Sequence, residues 1–276
     1  MSSADTSNSP RNDNTAPPQS GNLGADMIMA LRFYSRLPSG STPHERPDLK
    51  RIAMAVPFAG LVIGIGPAAL LFLATIGGVP PLFSVFVALA GFAAVTGAMS
   101  EDAIADAADG LFGGATRERR LEILKDSRHG TYGVLAIVFI IGLKAAALSA
   151  IAARNPLAAM LVWLAAGLLA RSAALYLPLV LGQARAEGAA ATVGGLTRNA
   201  FAGGTIFATL IAFVLAAPFV GVLGFVIALV LGLLVLLGWT RLCDRLVGGV
   251  TGDLIGAAQA LVEIVVLATF MRMIVT

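Results

Sequence analysis

Ile52–Ser100 reads IAMAVPFAGLVIGIGPAALLFLATIGGVPPLFSVFVALAGFAAVTGAMS, without one charged side chain. A second such run, Asn199–Thr240, lies in the C-terminal half. A helix crosses a bilayer with about 20 apolar residues, so each run holds two crossings and a turn. Gly77-Gly78-Val79-Pro80-Pro81 supplies the first turn and Ala217-Pro218-Phe219 the second, because Gly and Pro interrupt helices. Extended outward, this reading places spans at about 52–76, 82–100, 133–153, 157–181, 202–217, 220–239 and 255–274. Asn155-Pro156 separates the third from the fourth, with Pro just inside the next helix. The fold class is all-α: a polytopic integral membrane protein with about seven transmembrane helices and cytoplasmic catalytic loops. Composition agrees. Of 276 residues, 57% are hydrophobic and 13% charged, and a soluble chain so poor in charge cannot cover its own surface.

Residues 1–26 are rich in Ser, Asn, Pro, Asp and Gly and have no apolar run, the composition of a disordered tail. Residues 27–276 then form a single transmembrane catalytic domain. Its first segment, 27–38 (MIMALRFYSRLP), places Arg32 and Arg36 opposite an apolar face and reads as an interfacial helix. With the N-terminus inside, fifteen of the nineteen Lys and Arg fall on inside segments, only Arg154 and Arg272 outside, and Lys144 and Arg171 within spans. This asymmetry orients the chain with its long polar loops in the cytoplasm. The net charge of +3 therefore reflects topology and not nucleic-acid binding. Cys243 is the only cysteine, which excludes an internal disulfide and a Cys-rich metal site.

The first charge-free run ends in Glu101–Gly110 (EDAIADAADG). On a helix Asp102, Asp106 and Asp109 fall within about 60° of one another, with Glu101 at the edge of that sector. Carboxylates on one face repel, and the remaining positions are apolar, so a cation must neutralise them. Hard oxygen donors suit Mg²⁺, or Mn²⁺ in its place, bridging to a phosphate. The opposing reading is an acidic helix end balanced by Arg119 and Arg120. Downstream, Lys125, Asp126, Ser127 and Arg128 precede the third span and offer groups for anionic oxygen, or act as positive-inside flanks. His129 alone is weak evidence for catalysis. Arg171 lies inside the fourth span and needs a partner or ligand, and Glu263 is a candidate partner for Arg171 or Lys144. Asp253 opens the last span, either completing a metal shell or capping the helix.

These residues resemble those of the cobalamin synthase (adenosylcobinamide-GDP ribazoletransferase) family. Its signature is E/L-D-G-L-A-D-x-x-D-G followed by R-x-L-E-I-M-K-D-S-R-x-G-T-Y-G. Here the stretches read EDAIADAADG and, at Arg120–Gly133, RLEILKDSRHGTYG. Phe33–Pro38 (FYSRLP), Ala170-Arg171-Ser172 and Thr251–Ala257 (TGDLIGA) match in order. Two positions depart: Ser100 stands where the family has His, and Ala103 where it has Gly. The resemblance implies that adenosylcobinamide-GDP is joined to α-ribazole or its 5′-phosphate with loss of GMP, a late step of coenzyme B12 synthesis. It implies Mg²⁺ on Glu101, Asp102, Asp106 and Asp109, with Asp106 and Asp109 as catalytic carboxylates. Lys125, Asp126, Ser127, Arg128, Arg171 and Asp253 would contact substrate. It also implies a multi-pass protein of the bacterial inner membrane, with room for a homo-oligomer or association with other late B12 enzymes. Two rivals fare worse. A CDP-alcohol phosphotransferase needs D-G-x-x-A-R, and Asp109-Gly110 leads instead into LFGGATR. A solute or cation carrier would place its polar groups near the midplane of repeated halves, and no internal repeat is present.

Overall fold

A computed structural model of the chain describes residues 23–39, 48–126, 128–184 and 195–276. Among the described residues ten helices follow in order: α1 (Leu23–Tyr34), α2 (Leu49–Ile76), α3 (Pro81–Thr96), α4 (Met99–Gly113), α5 (Arg117–Ile123), α6 (Thr131–Arg154), α7 (Pro156–Ala174), α8 (Tyr176–Val180), α9 (Arg198–Val247) and α10 (Gly252–Val275). Among the described residues there is no strand, only an isolated parallel bridge between Gln183 and Val250. Helix α1 starts inside the stretch expected as a tail; the rest of that stretch, residues 1–22, lies outside the described residues. Asp26 of α1 pairs with Arg51 of α2 at 2.7 Å, and Met29, Ala30 and Tyr34 are buried. One face of α1 is thus packed on the bundle.

Five helices (α2, α6, α7 with α8, α9 and α10) are long and apolar enough to cross a membrane, and α3 with α4 makes a sixth if counted as one bent span. Helix α9 is itself two crossings. Its backbone leaves helical geometry at Gly221 (φ 70°, ψ 167°). In a continuous helix Phe213 and Phe225 would stand about 18 Å apart, yet their ring centroids are 5.2 Å apart. The neighbours agree. Before the break, Phe207 meets Phe58 of α2; after it, Phe225 stacks on Phe270 and Trp239 Nε1 donates to the Leu254 carbonyl, so the second half runs antiparallel to α10. The chain folds back at Gly221, a little beyond the expected Ala217-Pro218-Phe219. Phe83, Phe139, Ile206, Val214 and Leu223 are 61–73% exposed, a surface suited to lipid and not to water. The molecule is an all-α multi-pass membrane protein.

The expected span 82–100 does not run through. Helix α3 stops at Thr96, and α4 leaves it at 87°. Gly97 and Ala98 make the corner, both left-handed, at φ 68° and 56°. Arg36 packs over it, its backbone N–H donating to the Val95 carbonyl at 2.8 Å and its side chain filling the place a Cβ on Gly97 would need. Helix α4 therefore runs across the end of the bundle and lies outside the crossing segments. The polar connections gather at this end. Arg120 donates to the carbonyls of Leu111 and Leu246, each at 3.2 Å, tying α5 to the ends of α4 and α9. Val250 N–H donates to the Gly182 carbonyl at 2.9 Å and pins the loop before α10.

Inside the bundle, Lys144 Nζ lies 2.9 Å from Glu263 Oε2, both side chains 2% exposed, and Trp163 Nε1 donates to the other Glu263 oxygen at 3.2 Å. The partner expected for Lys144 is therefore the one found. Removing one member strands a buried charge. Lys144→Met should destabilise the protein by about 3–5 kcal/mol, and adding Glu263→Gln should recover part of that loss, read by thermal unfolding in detergent. At the corner, Gly97→Ala should cost at least about 1 kcal/mol, because an L-residue pays that much in the left-handed region. An unchanged melting temperature would show that the corner does not hold α4.

Candidate active site

The corner at Gly97-Ala98 aims the acidic face of α4 away from the bundle interior. Ala103, Ile104, Ala105, Ala107, Ala108 and Leu111 pack inward, and Asp102 and Asp106 are left one turn apart on the same side. Asp102 is 65% exposed at its side chain and Asp106 17%. His129 sits against both, its Nε2 3.9 Å from Asp102 Oδ1 and its Nδ1 3.7 Å from Asp106 Oδ1. Nothing in the local spacing singles out this histidine; the fold delivers it. Burial pushes the Asp106 carboxyl up to about 6, helped by the negative charges of Asp102, Asp253 and Asp109 and opposed by His129. The same neighbours place Asp253, at the start of α10, on the acid cluster. Thr251 caps α10 by accepting from Leu254 N–H at 3.4 Å, so capping is not left to Asp253.

Asp109 has a different task. Its two carboxylate oxygens accept from the backbone N–H groups of Gly130 (2.6 Å) and Gly133 (2.9 Å). Helix α6 lacks a cap from its own N-cap residue, and Asp109 supplies a charged one from α4, with the sign that a helix N-terminus favours. A Cβ on Gly130 would come 2.6 Å from Asp109 Oδ1, and one on Gly133 would also collide with that carboxylate. Small residues are needed there for the acid to reach the backbone.

The basic residues divide in the same way. Arg119 pairs with Glu122 at 3.0 Å, and Arg120 binds carbonyls as described, so neither neutralises the acidic face. Arg128 pairs with Asp126 at 2.7 Å, and its guanidinium holds the Asp126 carboxyl down to about 2. Both stay charged at neutral pH and largely cancel. Lys125 is exposed, and among the described residues no ion pair engages it. Ser127 lies outside the described residues. Arg171, expected at substrate, is instead 4% exposed inside the bundle, its guanidinium carbon 5.4 Å from the centre of the Phe92 ring. It shares a small cavity of about 10 Å³ with Trp163 and Glu263. Glu101 points the same way: its Oε2 is buried without a hydrogen bond, and its charge acts on Arg171. Glu101 thus parts from Asp102 and Asp106, as its place at the edge of the acidic sector allows.

Among the described residues no group of three or more His, Cys, Asp or Glu side chains closes around a metal position. The donors fit a more open arrangement. Asp102 and Asp106, with Asp253 nearby, provide hard oxygens and an excess of negative charge. Mg²⁺ is commonly held by one or two carboxylates while water and substrate phosphate fill its remaining positions.

Beside the acids a cavity of about 250 Å³ opens between α1, α2, α4, α8 and α10. Ser100 and Gln259 lie in its lining, with Gln259 Nε2 donating to Ser100 Oγ at 3.3 Å. Sequence spacing offered no sign of this cavity, because its walls come from distant segments.

The cobalamin-5-phosphate synthase family model matches residues 26–271. The chain is 45% identical to the adenosylcobinamide-GDP ribazoletransferase of Azorhizobium caulinodans, over 87% of this chain and 92% of that protein. It is 40% identical to the protein of that name from a Sinorhizobium species, over 90% of this chain and 96% of the relative. For the one from Bradyrhizobium diazoefficiens the identity is 38%, over 89% and 93%. No solved structure matches the chain. The matched residues run from α1 to α10 and include every acid, base and glycine placed above, and the chain belongs to the cobalamin-5-phosphate synthase family.

Proposed function

We propose that this chain joins adenosylcobinamide-GDP to α-ribazole or its 5′-phosphate, releasing GMP. The observation that carries the reading is the cluster of Asp102, Asp106, His129 and Asp253 at one end of the bundle, in a chain 45% identical to a ribazoletransferase. In the reaction a ribose hydroxyl attacks the phosphorus bonded to the cobinamide side chain. The bond from that phosphorus to the bridging diphosphate oxygen breaks, and GMP leaves with the electron pair. Because the 5′-phosphate of ribazole also serves as acceptor, the attacking hydroxyl is another one on the ribose.

Asp106 accepts the proton of that hydroxyl. Its carboxylate is half-sheltered beside Asp102 and His129 at the mouth of the cavity, in reach of a bound acceptor. His129 lies between Asp102 and Asp106, and Lys125 meets diphosphate oxygens. Mg²⁺ on Asp102 and Asp106, with Asp253 behind them, would neutralise charge on the diphosphate and the leaving group. Asp109 acts by holding α4 against α6, and Arg171 by neutralising charge within the bundle. The chain lies in the bacterial inner membrane with this end in the cytoplasm, a reading supported by the fifteen Lys and Arg on the inside segments.

The test is GMP release by purified protein in detergent with both substrates and Mg²⁺. Asp106→Asn should lower kcat by at least about 100-fold, the usual scale for a lost general base, with an unchanged melting temperature. Asp109→Asn should lower the melting temperature, because the amide turns a donor toward one of the two glycine N–H groups, a loss of about 1–3 kcal/mol. Normal turnover by Asp106→Asn would remove it from the mechanism.

A further inference from the structure

The reaction brings together two substrates of very different size and charge. The cavity beside α4 has a character that matches only one of them. Its volume is about 250 Å³, near the lower end of the roughly 300–1,000 Å³ usual for small-molecule sites. Its walls are apolar, from Phe33, Leu49, Met99, Leu175, Pro178 and Ile255. Its polar lining residues are Tyr34, Ser100, Gln259, Asp102 and Asp253. Ser100 and Gln259, 5% and 4% exposed, form the inner end, whereas Asp102 and Asp253 lie at the outer end, beside Asp106. No Lys or Arg lines it among the described residues.

We propose that this cavity is the acceptor subsite, which takes the flat, uncharged benzimidazole ring of ribazole, while the corrinoid diphosphate binds outside it. The inference rests on the function proposed above and deepens it. The diphosphate would stay at the acid end, where Asp102 and Asp106 would hold Mg²⁺, because the inner walls are apolar and carry no cation among the described residues. The corrin macrocycle is excluded by size. A benzimidazole ring loses little on leaving water for such walls, and Gly256 lets α10 close against Ala103 of α4, where a Cβ would collide, so that the two helices form one wall of the cavity. Ser100 Oγ already accepts from Gln259, so its own proton is available for the unsubstituted ring nitrogen. With the ring at the inner end, the ribose lies between Asp102 and Asp253, where carboxylates accept hydroxyl hydrogen bonds. One hydroxyl then comes beside Asp106, and the placement of the base sets the placement of the nucleophile.

Steady-state kinetics in detergent, varying each substrate in turn, test the assignment. The free base 5,6-dimethylbenzimidazole should inhibit the wild-type protein competitively against α-ribazole and non-competitively against adenosylcobinamide-GDP. Ile255→Trp, which fills the cavity, should raise the KM for α-ribazole by at least about tenfold and leave the KM for adenosylcobinamide-GDP unchanged. An unaltered α-ribazole KM in Ile255→Trp with wild-type melting would overturn the subsite while leaving the enzyme activity standing. So would inhibition competitive against adenosylcobinamide-GDP, or no inhibition by the base together with a lipid retained through purification and released by Ile255→Trp. If Ile255→Trp does not fold, the inhibition pattern of the wild type decides alone. A wild-type protein that releases no GMP would instead overturn the activity, and this subsite with it.

Discussion

Two backbone N–H groups, those of Gly130 and Gly133, converge on the carboxylate of Asp109, and the geometry of the reacting end follows from that meeting. A helix laid across the end of a bundle has little to fix its rotation. Here one end of α4 is set by the corner at Gly97-Ala98 and the other by this charged cap on α6. With Asp109 turned to α6, Asp102 and Asp106 are turned toward the loop that carries His129. Glu101 falls on the other side, toward Arg171. A single anchored carboxylate thereby sorts four acids into two that face His129, one that holds the helix and one that looks into the bundle.

The bilayer explains why chemistry collects at one end. In the crossing helices charge is tolerated only when answered, as Lys144 is by Glu263. Arg171 is placed within that buried set, beside the Phe92 ring and the Glu263 carboxylate. These residues hold the helices together and leave the diphosphate chemistry to the polar connections. The walls of the acceptor cavity use the same apolar side chains that fill the core, with acids only where it meets the polar end.

Much of the fold was legible because a membrane imposes a crude and strong pattern. Charge-free runs marked the crossings. The corner after Thr96 was not legible: Gly97 and Ala98 sit inside an apolar run, and nothing local shows that the helix turns there instead of continuing. The break in α9 was placed at Ala217-Pro218-Phe219 because Pro is the conspicuous residue, yet a helix can carry Pro218, and it was Gly221 that took the turn. In the site, helical spacing correctly grouped Asp102, Asp106 and Asp109 on one face. It gave no means of separating Asp109, whose partners lie 21 and 24 residues away. The cost of burying Arg171 calls for a partner or a ligand without choosing between them, and the fold places it beside the Phe92 ring and Glu263. The cavity was out of reach for the same reason, because α1, α4 and α10 meet only in three dimensions.

In the proposed site Asp102 and Asp106 face the reaction and Asp109 holds the helix. Mn²⁺ binding, followed by the loss of its free-ion paramagnetic resonance signal, tests this without turnover. Asp106→Asn should weaken binding by about tenfold or more, an interaction of roughly 1.4 kcal/mol, at wild-type thermal stability. Asp109→Asn should melt earlier yet bind Mn²⁺ normally while folded. Full binding by Asp106→Asn, with loss of binding in folded Asp109→Asn, would contradict this assignment.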